Sequence, residues 1–258
     1  MGTYLDRILE RHRAVAAVDD RPIGDLIARI DELPPVRGFR DALAGADRLA
    51  VISEVKRRSP SKGDLNIGLD PAAMAQAYAA GGASCMSVLT DVEFFGGSVD
   101  DLRVARAACS LPVLRKDFTV STLDVVDTRL MGADCVLLIA AALSPAELGV
   151  LHRTALDVGL DVLVEIHDEE ELSVALDIGA TLVGVNQRDL VTFEVDHERA
   201  VRMAAAIPPG VVKVAESGVR GIGDAQSLRD AGYDAVLVGE SLVRAADPVA
   251  AVAELRVR

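Results

Sequence analysis

The chain has 258 residues, half of them hydrophobic, enough to bury a large core as two small domains or as one α/β barrel. Its formal charge of −13, from 40 acidic against 27 basic residues, argues against nucleic acid or an anionic membrane as the main partner. No apolar run reaches the length of a membrane span, and the N-terminal MGTYLDRILERHR lacks the apolar segment of a signal peptide, which predicts a soluble, cytoplasmic protein.

Ahead of Leu49 the pattern is amphipathic and helical, broken at Pro34 and Pro35. This stretch, about residues 1–48, is expected to be an extension packed on a single domain spanning 1–258. From Leu49 onward, short apolar β-type runs alternate with longer helical patterns, as in βαβ units. LAVISEVK (49–56) is followed by PAAMAQAYAAGG (71–82), then ASCMSVLT (83–90) by SVDDLRVARAAC (98–109). LPVLRKD (111–117) and ADCVLLIAA (133–141) come next, the latter leading into SPAELGVLHRTALDVG (144–159). DVLVEIH (161–167) precedes DEEELSVALDIG (168–179), and LVGVNQR (182–188) precedes DHERAVRMAAAI (196–207). VVKVAES (211–217), GIGDAQSLRDAG (221–232), AVLVGES (235–241) and the helical ADPVAAVAELRVR (246–258) complete the chain. Several helical stretches open on Ser or Asp and close on Gly159, Gly179 or Gly232, the expected caps. Eight strand–helix units fit a (β/α)8 barrel, class α/β, better than a doubly wound sheet, and the first strand carries no GxGxxG.

Cys85, Cys109 and Cys135 lie in apolar surroundings without CxxC spacing and are expected to be reduced core thiols. His12, His152, His167 and His197 form neither HxH nor HExxH, so no metal and no cofactor are expected. Of the four, only His167 is expected near a site, two residues after Glu165.

In a barrel of this kind the site gathers where strands end and βα loops begin. The first strand ends in Glu54 and Lys56, the third in Arg115, Lys116, Asp117 and Phe118, the fifth in Glu165 and His167. The sixth ends in Asn186 and Arg188, the seventh in Glu216, Ser217 and Gly218, the eighth in Gly239, Glu240 and Ser241. Residues two apart share a strand face, so Glu54 with Lys56, and Asn186 with Arg188, leave their strands together. Uncompensated charge inside a barrel is costly, and so many charged ends on one face point to a site. The glycines after the last two strands let bare backbone N–H groups approach an anion, the common phosphate position of such barrels, with Lys62 as a further cation.

Seven stretches carry a family resemblance: SEVKRRSPSKG, SVLTDVEFFGGSVDDL, LPVLRKDF, VLVEIH, GVNQRDL, VAESGV and AVLVGESL, in order between Phe39 and Leu242. On these residues the chain closely resembles the indole-3-glycerol phosphate synthases, carboxy-lyases of tryptophan biosynthesis, and YLDRILERHRAVAA resembles the family's extra leading helix. The resemblance implies Lys116 as general acid, Glu165 as general base, and Lys56 as a second acid or charge stabiliser oriented by Glu54. It implies Asn186 and Arg188 at the anthranilate end, with Arg188 near the carboxylate, and Phe118 beside the phenyl ring. Ser59, Ser217, Gly218, Gly239 and the backbone of Glu240 would line the phosphate side, and Glu216 would support the site. It further implies a phosphorylated small-molecule substrate; no nucleic-acid or membrane partner is expected, and of the oligomeric states, which the sequence does not fix, a monomer is favoured. After RKDF the chain departs from the family pattern with STLDVVDTR, beside the site. Two rivals stay open: a phosphoribosylanthranilate isomerase, which uses a Cys/Asp pair, and a barrel kept for binding alone.

Overall fold

The computed structural model describes residues 3–60, 62–189 and 191–258; the Ser61 and Leu190 of the resembling motifs lie outside them. Eight parallel strands close into a barrel in chain order: β1 (Ala50–Val55), β2 (Cys85–Leu89), β3 (Val113–Lys116), β4 (Cys135–Ile139), β5 (Asp161–Ile166), β6 (Leu182–Asn186), β7 (Val212–Glu216) and β8 (Ala235–Val238). Each lies within the run expected from sequence, and β8 returns to pair with β1. All but three of their residues are buried, because the barrel covers one strand face and the helices the other.

The expected caps form. Asp70, Ser98, Ser144 and Asp168 each accept a backbone N–H in the first turn of their helix, and Gly159, Gly179 and Gly232 adopt positive φ. A further helix, Thr122–Leu130, occupies the stretch where the sequence departs from the family pattern. Its β-branched residues dilute the helical signal, but a capping box of Ser121 with Asp124 and burial of Val125 and Val126 decide the outcome. The stretch 196–207 yields only Arg199–Met203, whose start has no side-chain cap.

The extension touches both ends of the barrel. The segment through Phe39–Ala44 seals the N-terminal end, with Phe39 and Leu43 buried, each such side chain contributing roughly 1.5–3 kcal/mol. The Tyr4–Ala16 helix instead reaches the opposite rim, where Tyr4 packs edge-on against Phe94 and Phe193 at 5.7 and 5.5 Å. Cys85 and Cys135 are buried thiols; Cys109 is only half-buried, because it follows the last turn of the helix Val99–Ala108. Among the described residues no helix is long and apolar enough to cross a membrane.

Candidate active site

The register of the sheet sets the height of every strand-end side chain. Glu165 pairs with Gly184, and Asn186, two residues on along the same face of β6, pairs with Glu216, so all three polar side chains share the inward face at the strand ends. Above the apolar floor of Leu89, Leu137 and Leu237 opens a cavity of about 560 Å³, the size of a small-metabolite site. Every site residue expected from sequence lines it: Glu54, Lys56, Ser59, Lys116, Phe118, Glu165, Asn186, Arg188, Glu216, Ser217, Gly218, Gly239 and Glu240, and Lys62 with them.

The charged groups are interlocked. Lys116 Nζ donates to Glu165 Oε2 at 3.0 Å and lies 3.6 Å from Glu216. Asn186 Nδ2 donates to the other oxygen of Glu165 at 3.0 Å, and Lys56 pairs with Glu54. Burial by itself favours the neutral form of each. For Lys116 the carboxylates of Glu165, Glu216 and Glu54 outweigh burial and raise its affinity for the proton. For Glu165 burial is outweighed by Lys116, His167 and the Asn186 hydrogen bond, which together hold its carboxyl below the usual range. Glu216 goes the other way: burial and the charge of Glu165 push it well above the usual carboxylate range, and its Oε1 has no hydrogen-bond partner. The two neighbouring carboxyl groups are thus shifted in opposite directions, Glu165 down and Glu216 up.

Two glycines make this packing feasible. A Cβ at Gly184 would lie 2.0 Å from Glu216 Oε1, and one at Gly239 would lie 2.3 Å from Glu54 Oε1 and 3.1 Å from Lys56 Nζ. Gly239 has φ −117°, so close approach rather than a left-handed backbone demands glycine there. Ser217 and Gly218 do adopt positive φ, of 68° and 76°. Gln187, to which the sequence assigned no role, donates to the Ser217 carbonyl at 2.7 Å and pins that turn.

Other side chains of the cavity were not anticipated. Phe95 stacks obliquely against Phe118 with ring centroids 6.2 Å apart, and Arg220 and Arg244 stand on the β7–β8 side. The expectation that His167 alone among the histidines lies near the site is corrected. His197 lines the cavity beside Gly218, and His12 bonds Asp91 at 3.1 Å with its ring 5.7 Å from Phe118. Both reach the site through tertiary packing of remote segments, which strand-end parity does not register. Arg115 is directed away from the cavity, to Thr90, Thr128 and Asp117 behind β3, as its odd position next to Lys116 requires. Arg188 spends one N–H on the Phe193 carbonyl at 2.9 Å and keeps the rest of its fork at the cavity. Among the described residues His12, Asp91 and Asp117 form a cluster of metal-type donors, but Arg115 sits 3.0 Å from Asp117 and opposes a second cation there.

The indole-3-glycerol phosphate synthase family model matches residues 5–255. The chain belongs to that family. An indole-3-glycerol phosphate synthase of Chlorobium luteolum is 49% identical over 243 residues, 93% of each chain. A relative named indole-3-glycerol phosphate synthase 2, from Streptomyces coelicolor, is 52% identical over 86% of this chain and 87% of its own. Solved structures share the fold alone. 3-Hexulose-6-phosphate synthase of Salmonella typhimurium aligns with TM-score 0.63 at 13% identity, covering 81% of this chain and 97% of that one. Thiamine phosphate pyrophosphorylase of Pyrococcus furiosus aligns with TM-score 0.59 at 18% identity, over 81% and 94%. Both are far less similar to this chain in sequence than the two synthases are.

Proposed function

We propose that the chain converts 1-(2-carboxyphenylamino)-1-deoxyribulose 5-phosphate to indole-3-glycerol phosphate by ring closure, decarboxylation and dehydration. The observation that carries this reading is the buried Lys116–Glu165–Asn186 constellation, an acid and a base 3.0 Å apart within a cavity that has an aromatic wall and a glycine-turn wall.

In the first step the ring carbon bearing the carboxylate attacks the ketone carbon. Lys116 donates a proton to the ketone oxygen as the carbon–carbon bond forms, and departure of CO2 returns its electron pair to the ring. The new hydroxyl then leaves as water. An acid protonates it, the role that suits Lys56 beside Glu54 or Lys116 again, while Glu165 takes the amine proton. The CH2 beside the nitrogen then gives up a proton as the nitrogen regains one, which forms the ring double bond and leaves the indole N–H. Phe118 and Phe95 flank the phenyl ring and hold the reacting carbon in line. The free part of the Arg188 fork suits the substrate carboxylate, for which a planar guanidinium is the fitting partner. The turn amides at Gly218 and Gly239, near Lys62, suit the phosphate, with Ser59 and Ser217 beside them and Glu240 contributing backbone alone. Glu216, 3.6 Å from Lys116, supports the set.

The isomerase rival loses support from the cysteines: no thiol lines the cavity among the described residues. The test is the appearance of indole absorbance and fluorescence from the carboxyphenylamino substrate. Turnover is expected with that substrate and none with phosphoribosylanthranilate; the reverse pattern, or no indole signal, overturns the proposal.

A further inference from the structure

His167 leaves β5 two residues after Glu165, but it does not line the cavity. Its ring is fixed from behind by Glu171, in the first turn of the helix Glu169–Asp177: one carboxylate oxygen accepts both the backbone N–H of His167 at 2.7 Å and its Nδ1 at 3.1 Å. Nε2 is buried, has no hydrogen-bond partner, and stands 3.9 Å from Glu165 Oε1. A buried ring nitrogen without a partner calls for a reason, and its aim at a buried carboxylate supplies one.

The reason follows from what Lys116 does in the reaction proposed above. In the free site Lys116 is the nearest cation to Glu165. When its ammonium turns to the ketone oxygen, Glu165 is left 1% exposed, beside an amide and another carboxyl group. That environment favours the protonated acid, which cannot act as a base. We propose that His167 is a positioning residue that keeps Glu165 a carboxylate once Lys116 has turned to the substrate, with Glu171 holding the imidazole in place. The inference rests on the assignment of Glu165 as the base.

The groups around the ring are consistent with a cation there. It is faced by Glu165 from β5, by Glu171 from the following helix and by Arg199 from the helix after β6. Burial opposes protonation, as does Arg199, but the two carboxylates prevail and raise the imidazole above its ordinary value. Glu165 itself is faced by Lys116 from β3 and by Glu216 from β7.

The test is the pH dependence of kcat, which reports ionisations in the substrate complex, in H167N, H167K and E171Q, with thermal unfolding followed in parallel. In H167N the acidic limb of kcat is expected to move up by about one pH unit, the usual effect of losing a cation at this range, so that kcat measured on the acidic side of the wild-type limb falls about tenfold with KM little changed. H167K, which returns a cation, should recover part of the rate, and E171Q should move the limb in the same direction by less. If H167N does not fold, E171Q carries the test alone. A limb that stays in place, whether kcat is kept or lost, overturns the proposal and leaves His167 a packing residue. E165Q separates the two levels: near-wild-type turnover in E165Q sinks the base assignment, whereas an inactive E165Q with an unmoved limb in H167N sinks only the role of His167.

Discussion

The two ends of the barrel both bury carboxylates, and they treat them in opposite ways. At the N-terminal end Asp134 accepts the backbone N–H of Arg37 at 2.9 Å and of Val113 at 2.8 Å, and the Arg106 guanidinium at 2.8 Å. Asp161 and Asp234 likewise accept the backbone N–H groups of Arg40 and Lys213. There every buried charge ties an element down. At the C-terminal end Glu165 and Glu216 are held by side chains able to exchange partners, and one oxygen of Glu216 has none. Fully paired charge serves stability, whereas charge that is only partly paired is available to a substrate.

The largest expected effect lies at the closed end. Asp134→Ala would leave the Arg106 guanidinium without its anion and the backbone N–H groups of Arg37 and Val113 without an acceptor, a loss of about 3–5 kcal/mol. Denaturant unfolding should show it as a lower midpoint, while turnover per folded molecule stays near wild type. A large fall in kcat with stability kept would break the contrast between the ends.

At the open end the glycines are the sharper probe. Gly184→Ala places a Cβ where Glu216 Oε1 now lies, and Gly239→Ala does the same to the Glu54–Lys56 pair. Displacement worth about 1–3 kcal/mol, felt in the transition state, lowers kcat about tenfold or more. Steady-state kinetics should find the loss in kcat for both. For Gly239→Ala a rise in KM alone would return that residue to phosphate binding only.

A smaller effect sets the sign of a pH dependence. Because Glu216 is raised in the folded state, folding takes up a proton above the usual carboxylate range. Stability then falls as pH rises from that range toward the raised value, by at most about 1.4 kcal/mol per pH unit. Glu216→Gln should flatten this slope in unfolding curves between acidic and alkaline pH. A variant with the wild-type slope would mean that Glu216 is ionised in the folded protein.

Much of this was legible in the sequence. Short apolar runs alternating with helical patterns placed all eight strands, and shared parity predicted that Glu54 and Lys56 leave β1 together, as their ion pair bears out. Side-chain type and spacing could not register contacts made by remote segments. His12 comes to the site from the leading helix, His197 from deep in the loop after β6, and Gly184 matters only because Glu216, on the neighbouring strand, leans across it. The helix Thr122–Leu130 was obscured because its threonines and valines suit a strand as well as a helix.

The central claim is that charge at the C-terminal end is kept for chemistry. Glu165→Gln tests it most directly when kcat and unfolding free energy are measured on one preparation, because the amide keeps the shape and removes the base. The expected result is a fall of about 10²-fold or more in kcat with stability changed by less than about 1 kcal/mol, within the usual range for a mild substitution. Near-wild-type kcat, or a loss of stability as large as that expected for Asp134→Ala, would contradict it.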